Sequence, residues 1–429
     1  MRTVATIALI FLLFTTQLRA QTIIDSIDVL QKSAIKVFLD CDFCDENYIR
    51  TEITFVNYVR DRKEADVHIM VTLMSTGSEG TEYTFTLYGQ GTFLGKNDTL
   101  LYISNKTDTP DMSRKGLVRV LKIGLMRYSM HTPLADYFSV SYNRPTASSR
   151  VTDKWNYWVF SISLNSNING ESHSNSENYS GSLSASRTTE DWKIRLSMSG
   201  NYSANNYEFE IDENTVIKST FISRSQYING SVVKSLGDNF SAGLFGSAYS
   251  STYSNMDLSV DLQPGVEYDF FPYSESTRRM LTLTYRAGIS SNNYVDTTIY
   301  LKKSEILYRH SLSLALSLQQ PWGQSSVSLN GSQYLHDLSK NSFSIYSSLS
   351  IRLFEGLSVR LYGGYSAIHD QVTLPKRELT VEDVYQRQRQ LETSYSFWGS
   401  VGFSYTFGSI FNNIVNPRFG GGGGGVYYY

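Results

Sequence analysis

Residues Tyr308–Gln320 read YRHSLSLALSLQQ. Leu312, Leu314, Leu316 and Leu318 share one parity, while Ser311, Ser313, Ala315, Ser317 and Gln319 share the other. A period of two sends successive side chains to opposite faces of a strand. The stretch therefore predicts a strand with one leucine face and one small, hydroxylated face. Two settings accept such a strand. In a soluble sandwich the leucines meet a second sheet and the serines meet water. In a membrane-spanning barrel the leucines meet lipid and the serines line the lumen.

The same two-residue period recurs from about Trp155 to Phe407. Trp192, Ile194, Leu196 and Met198 oppose Lys193, Arg195, Ser197 and Ser199. Leu281, Leu283 and Tyr285 oppose Thr282, Thr284 and Arg286, and Phe343, Ile345, Leu349 and Ile351 oppose Ser342, Ser344, Ser348 and Ser350. Leu357, Val359 and Leu361 oppose Ser358 and Arg360, and Tyr395, Phe397, Val401, Phe403 and Tyr405 oppose Ser394, Ser396, Ser400 and Ser404. Weaker candidates lie at 155–164, 179–186, 220–233, 240–250, 258–270 and 327–333. Together they make about twelve strands, an even number as bacterial barrels need.

The connections alternate in length. Short ones fall at 188–191, 236–239, 320–323 and 354–356. Long polar ones fall at 205–218, 292–303 and 368–390. Barrels of the outer membrane have short periplasmic turns and long outer loops, and the short connections here all fall on one side. Aromatics near strand ends, Trp155, Tyr157, Trp192, Tyr308, Trp322 and Tyr395, are placed for an interfacial girdle.

Composition agrees. Charged residues are only 18% and aromatics 14%, with 31 Tyr and 22 Phe, where soluble domains carry about a quarter charged residues. A net charge of -2 offers no basic field for nucleic acid. Arg2, the apolar run Ala5 to Phe14 and Leu18-Arg19-Ala20 read as a signal peptide over 1–20. After Gln21 no apolar run reaches the length of a transmembrane helix.

Residues 21–132 predict a small α+β domain of order β-α-β-β-α. A strand at Ile35–Leu39 precedes a helix capped by Asp45 and running through Tyr48, Ile49, Ile53, Val56 and Val59. Paired strands follow at 65–74 and 82–93, joined by Ser75-Thr76-Gly77-Ser78. A second helix covers about Asp111 to Ser129. Cys41 and Cys44, the only cysteines, sit just ahead of the first helix. Asp40, Asp42 and Asp45 crowd them and oppose a reactive thiolate. A metal site lacks ligands, with His68 the nearest candidate. The favoured reading is a structural disulfide in an oxidising compartment.

Residues 133–154, with Pro145, read as a linker and 155–409 as the barrel. Residues 410–429 read as a tail in which Gly420–Gly425 tether Val426-Tyr427-Tyr428-Tyr429. The strand region resembles a Bacteroidota-type outer-membrane β-barrel. Tyr395–Phe407 is similar to the terminal strand such barrels present to the insertion machinery, although here a tail follows it. The order of the amino-terminal domain is topologically similar to the amino-terminal domain of the periplasmic Tol translocation protein. The resemblance implies the outer-membrane lipid bilayer and the barrel-insertion machinery as partners, with the domain and the tail in the periplasm.

Parity sends Lys193, Arg195, Asp261, Glu267, Asp269, Arg286, Arg309, Arg352 and Arg360 toward the lumen, to line a pore or to pair and fill it. His310 falls on the leucine parity, and no G-x-S-x-G is present. No catalytic residue, metal ligand or cofactor is expected. The leading expectation is a non-enzymatic scaffold, binding or transport component with a periplasmic protein partner. A passive channel for small polar solutes comes second and a lipid hydrolase third.

Overall fold

The computed structural model describes residues 32–77, 79–139, 141, 153–212, 215–376 and 391–409, together with 411, 413, 415, 416 and 418. The signal peptide, Ser78, most of the linker and the hexaglycine tether lie outside the described residues, as does 377–390 of the long polar loop.

The amino-terminal domain contains β1 (Lys36–Asp40), α1 (Glu46–Glu52), β2 (Asn57–Tyr58), β3 (Val67–Ser75), β4 (Thr81–Gly89), β5 (Asp98–Ser104) and α2 (Pro110–Ser129). Asp45 caps α1, its carboxylate accepting from the Tyr48 amide at 3.0 Å. Thr109 caps α2, with Pro110 in the first turn, where its missing N–H goes unmissed. Leu117, Leu121, Leu125 and Tyr128 recur at three- and four-residue spacing and are buried against the sheet. Full burial of each such leucine contributes about 1.5–3 kcal/mol. Helix and sheet approach closely at Gly116, where an added Cβ would fall 2.1 Å from the Tyr102 ring.

The sheet order is β2-β1-β3-β4-β5, which corrects the expected β-α-β-β-α order in two places. The first helix stops at Glu52, because the Asn57 amide bonds Ile35 O at 2.8 Å and pulls the chain into a parallel pair with β1. Val56 and Val59 are buried on either side of that strand instead of on a helix. The second correction is β5. Its core-facing Leu100 and Tyr102 alternate with Leu101 and Ile103, so both parities are apolar and the period is hidden.

The second unit is a twelve-stranded antiparallel meander: β6 (Trp158–Glu171), β7 (Ser174–Thr188), β8 (Trp192–Asp212), β9 (Thr215–Ser235), β10 (Phe240–Ser251), β11 (Met256–Asp269), β12 (Arg279–Tyr294), β13 (Ser304–Gln320), β14 (Gly323–Tyr334), β15 (Asn341–Phe354), β16 (Leu357–Ile368) and β17 (Tyr395–Tyr405). Every expected strand is present, in a β-barrel sheet behind a small α+β domain. Leu281, Leu283 and Tyr285 of β12 pair with Leu316, Leu314 and Leu312 of β13, while Thr282, Thr284 and Arg286 pair with Ala315, Ser313 and Ser311. The apolar and hydroxylated faces thus stay separate across strands. The ladder ends at β6 and β17, with no register between them among the described residues. Leu164 on β6 and Phe403 on β17 are correspondingly 82% and 75% exposed, against 50% for Leu312 in mid-sheet.

Connection lengths differ from expectation. Residues 205–218 are not a loop, since β8 and β9 pair from Trp192↔Lys234 out to Asp212↔Thr215. On the same end β6 and β7 are joined by Ser172 and His173 alone. On the opposite end 270–278 is nine residues long and holds a 3-10 turn at Tyr273–Glu275. Long strands here project beyond the rest of the sheet and replace loops.

Candidate functional site

The ladder puts Lys193, Arg195, Asp261, Glu267, Asp269, Arg286, Arg309, Arg352 and Arg360 on one face, opposite the leucine parity. They do not act as one group. Arg309 on β13 meets Asp261 on β11 at 3.3 Å. Lys193, Arg195, Glu267 and Arg286 line a cavity of about 430 Å3 between the polar faces of β8–β12. Asp269 is fully buried at the end of β11, where one carboxylate oxygen accepts from the Phe271 and Leu281 amides at 3.1 and 3.2 Å. Its role is to hold the turn. Arg360 lies apart on β16.

Arg352 reaches out of the sheet altogether. Its guanidinium binds Asp40 of β1 through two bonds, Nη1 to Oδ2 at 2.6 Å and Nη2 to Oδ1 at 2.5 Å, and lies 5.4 Å from the Phe38 ring centroid. A bidentate guanidinium–carboxylate pair fixes orientation as well as distance. Asp40 also bonds His68 Nε2 at 3.2 Å. Burial pushes the Asp40 carboxyl up, but the hydrogen bonds and charges of His68 and Arg352 outweigh it and hold the pKa below the ordinary carboxylate range. His68, a candidate metal ligand by sequence, is buried in this network.

The amino-terminal domain touches the barrel sheet at further places. At β7, Ser184 and Ser186 Oγ each donate to Glu79 Oε1 at 3.4 Å, and Gly77 packs against Thr188. Lys106 pairs with Glu79 from behind. Between β11 and β12, Ser276 Oγ lies 4.0 Å from Met74 Sδ. At the β15–β16 turn the Gly356 amide donates to Asp61 Oδ2 at 2.9 Å. Gly356 has φ 76°, and an added Cβ would strike Thr406 O at 2.1 Å, so glycine is required there.

These contacts sit at β7, β11–β12 and β15–β16, intervals of about four strands on a twelve-stranded sheet. On a closed twelve-stranded barrel these positions stand at thirds of the rim, and a body held there spans the opening. Strand spacing and tilt give twelve strands a diameter of about 24 Å, and five strands span about the same width. The helix-free face of the domain carries Phe38, Asp40, His68 and Met70 toward this rim, and His68 and Met70 are buried there. Past β17 the chain returns to the domain. Val59 bridges Phe411, and Asn413 bonds the Tyr58 amide at 2.6 Å and Asn57 at 2.8 Å. The start of the tail therefore seals the β2 edge instead of swinging free.

The opposite opening is crossed by 370–376. Thr298 bridges Pro375, the Ile299 amide bonds Leu374 O and the Lys376 amide bonds Thr297 O, both at 2.8 Å. The Asn255 side chain donates to Asp296 O and Thr373 O and accepts from the Asp296 amide. Val372 and Leu374 are buried by this crossing.

Cys41 and Cys44 form a disulfide with Cα atoms 5.5 Å apart. Sequence reading missed Asp40, Asp61, Glu79 and Asn255 as contact residues. Only the density of Asp around the cysteines hinted at the first, and it pointed to the thiols instead.

No protein-family model and no curated protein matches the chain. Similar solved structures include the NanC porin, at 11% identity over 57% of this chain and 99% of that one, with a TM-score of 0.27. The translocator domain of the autotransporter NalP from Neisseria meningitidis matches at 11% identity over 58% and 87%, with a TM-score of 0.23. The beta domain of the Bordetella autotransporter BrkA matches at 10% over 58% and 98%, with a TM-score of 0.24. At these scores the class rests on this chain's own strand register, that of a twelve-stranded β-barrel sheet with an appended α+β domain.

Proposed function

We propose that the chain is a non-enzymatic outer-membrane barrel that carries its own periplasmic plug, acting as a gated transport or binding component of the envelope. The observation that carries this reading is the Asp40–Arg352 bidentate pair, which ties the domain to the inner wall at one foot of its three-point seat. The leucine parity supports a lipid-facing exterior.

Fractionation followed by planar-bilayer recording tests it. Wild-type protein partitions to the outer membrane and passes little current, and Arg352→Ala combined with Asp61→Ala raises the open current several-fold. A wild type that conducts as freely as the variant would mark a passive channel and overturn the plug. A soluble wild type would overturn the membrane placement.

A further inference from the structure

The polar face of β8–β12 carries three cations and three carboxylates, but its charge is unevenly placed. Lys193, Arg195 and Arg286 line the 430 Å3 cavity, and Glu267 is the one carboxylate on its wall. Glu267 is already engaged, accepting from the Tyr273 hydroxyl at 3.3 Å and from Thr284 Oγ1 at 2.9 Å. Arg309 is answered by Asp261 and Arg352 by Asp40. Among the described residues no carboxylate stands within 4.0 Å of Lys193, Arg195 or Arg286.

Register sets Lys193 and Arg286 on one row, four strand spacings or about 19 Å apart at the backbone, and their side chains line the same cavity between those strands. Lys193 pairs with Val233, Val233 with Gly243, Gly243 with Gly265 and Gly265 with Arg286. This single row has a cation at each end and two glycines inside it. A Cβ on Gly265 would fall 2.8 Å from Arg286 Cγ. Its absence lets the Arg286 side chain lie back across β11, where the guanidinium sits 3.7 Å from the Phe245 ring centroid on β10. Stacking covers the face of the guanidinium and leaves its N–H edge for a ligand. Arg195, two residues along β8 on the same face, lines this cavity and an adjoining one of about 390 Å3, as do Arg286 and Phe245.

The geometry points to an anion-binding site inside the barrel, held by Lys193, Arg195 and Arg286 and suited to a small oxyanion with two or more negative charges. Three cations against one engaged carboxylate leave a surplus that a dianion or trianion neutralises. The volume lies within the range of small-molecule sites. Polycarboxylates and inorganic phosphate share the required chemistry. The site rests on the enclosed polar face and not on the plug.

The test is isothermal titration of the full chain in detergent with citrate, inorganic phosphate and sucrose, at constant ionic strength so that screening stays fixed. Saturable binding of at least one anion is expected, with none for sucrose. Lys193→Gln combined with Arg286→Gln weakens it about ten-fold or more, and Arg360→Gln, outside the cavity, leaves it unchanged. Binding of citrate alone assigns a polycarboxylate, and of phosphate alone a phosphate. Where the double variant loses its heat-modifiable gel shift, Lys193→Gln alone carries the comparison. No binding of either anion, or equal binding by wild type and variant, overturns the site. Titration needs no bilayer, so failure here with outer-membrane partition intact removes only the site. A soluble protein that still binds citrate removes only the membrane reading.

Discussion

Asp40 serves two domains at once, through His68 on β3 and Arg352 on β15. Both partners stabilise its ionised form, so the seat is sensitive to that charge. Asp40→Asn keeps the shape and removes the charge. It is expected to weaken docking by about 1–3 kcal/mol, less than a fully buried pair because Arg352 is partly exposed. Cysteines at Met74→Cys and Ser276→Cys report docking, since the native Sδ and Oγ lie 4.0 Å apart; the Asp40→Asn variant should cross-link less. The pH dependence has a definite sign. A carboxyl held below its ordinary value of 3.8 contributes stability that is full above that value and is lost as pH falls through the lowered one. Across pH, docking is read by the proximity of fluorescent labels on those two cysteines, because disulfide formation itself slows as thiols protonate. It should stay flat from neutral pH to about 5 and fall only below about 4. A loss centred near pH 6 would remove Asp40 as its cause.

At the scale of the element, parity was the strongest signal and it carried through the ladder. Leu314→Arg places a charge on the outer face and is expected to destabilise the assembled barrel by about 2–4 kcal/mol. Ser313→Arg, one residue away on the polar face, is expected to be tolerated, with urea unfolding from vesicles as the readout. Equal effects would mean that the two faces do not differ in their surroundings. The crossing segment has its own weak point. Asn255 adopts φ 56°, a conformation asparagine accepts, and its side chain makes three bonds that alanine cannot make. Asn255→Ala should speed proteolysis within 370–390 on intact cells by about ten-fold, at about 1 kcal/mol per two or so bonds after water competes. An unchanged rate would place the hold elsewhere, in the 297–299 backbone pairing.

For the whole molecule, the unpaired edges of β6 and β17 matter most. Unsatisfied backbone groups in hydrocarbon cost several kcal/mol each, so in lipid the first and last strands are expected to join. Unboiled protein should then run as a compact, heat-modifiable band on a gel. A single position before and after boiling would argue against closure. The three-point seat and the crossing segment are held by different means. One uses a folded domain fixed by an ion pair and the other uses backbone pairing between loops. Opening the two ends should therefore respond to different substitutions.

All twelve barrel strands and both helices were legible in the residues, because a period of two or of 3.6 is a local property and each strand states its own two faces. Hidden were β2, which forms only because β1 offers it a parallel partner, and β5, whose two faces are both apolar. Also hidden was the hairpin extension at 205–218, whose polar residues read as a loop. The sequence also carried no sign of which charges pair. Asp40 and Arg352 are 312 residues apart, and no periodicity encodes a contact at that separation. Strand number and face are written locally. The domain seat, the crossed opening and the convergence of Lys193, Arg195 and Arg286 arise only when four intervening ladders fix the register, because each depends on distances between residues that no local pattern links.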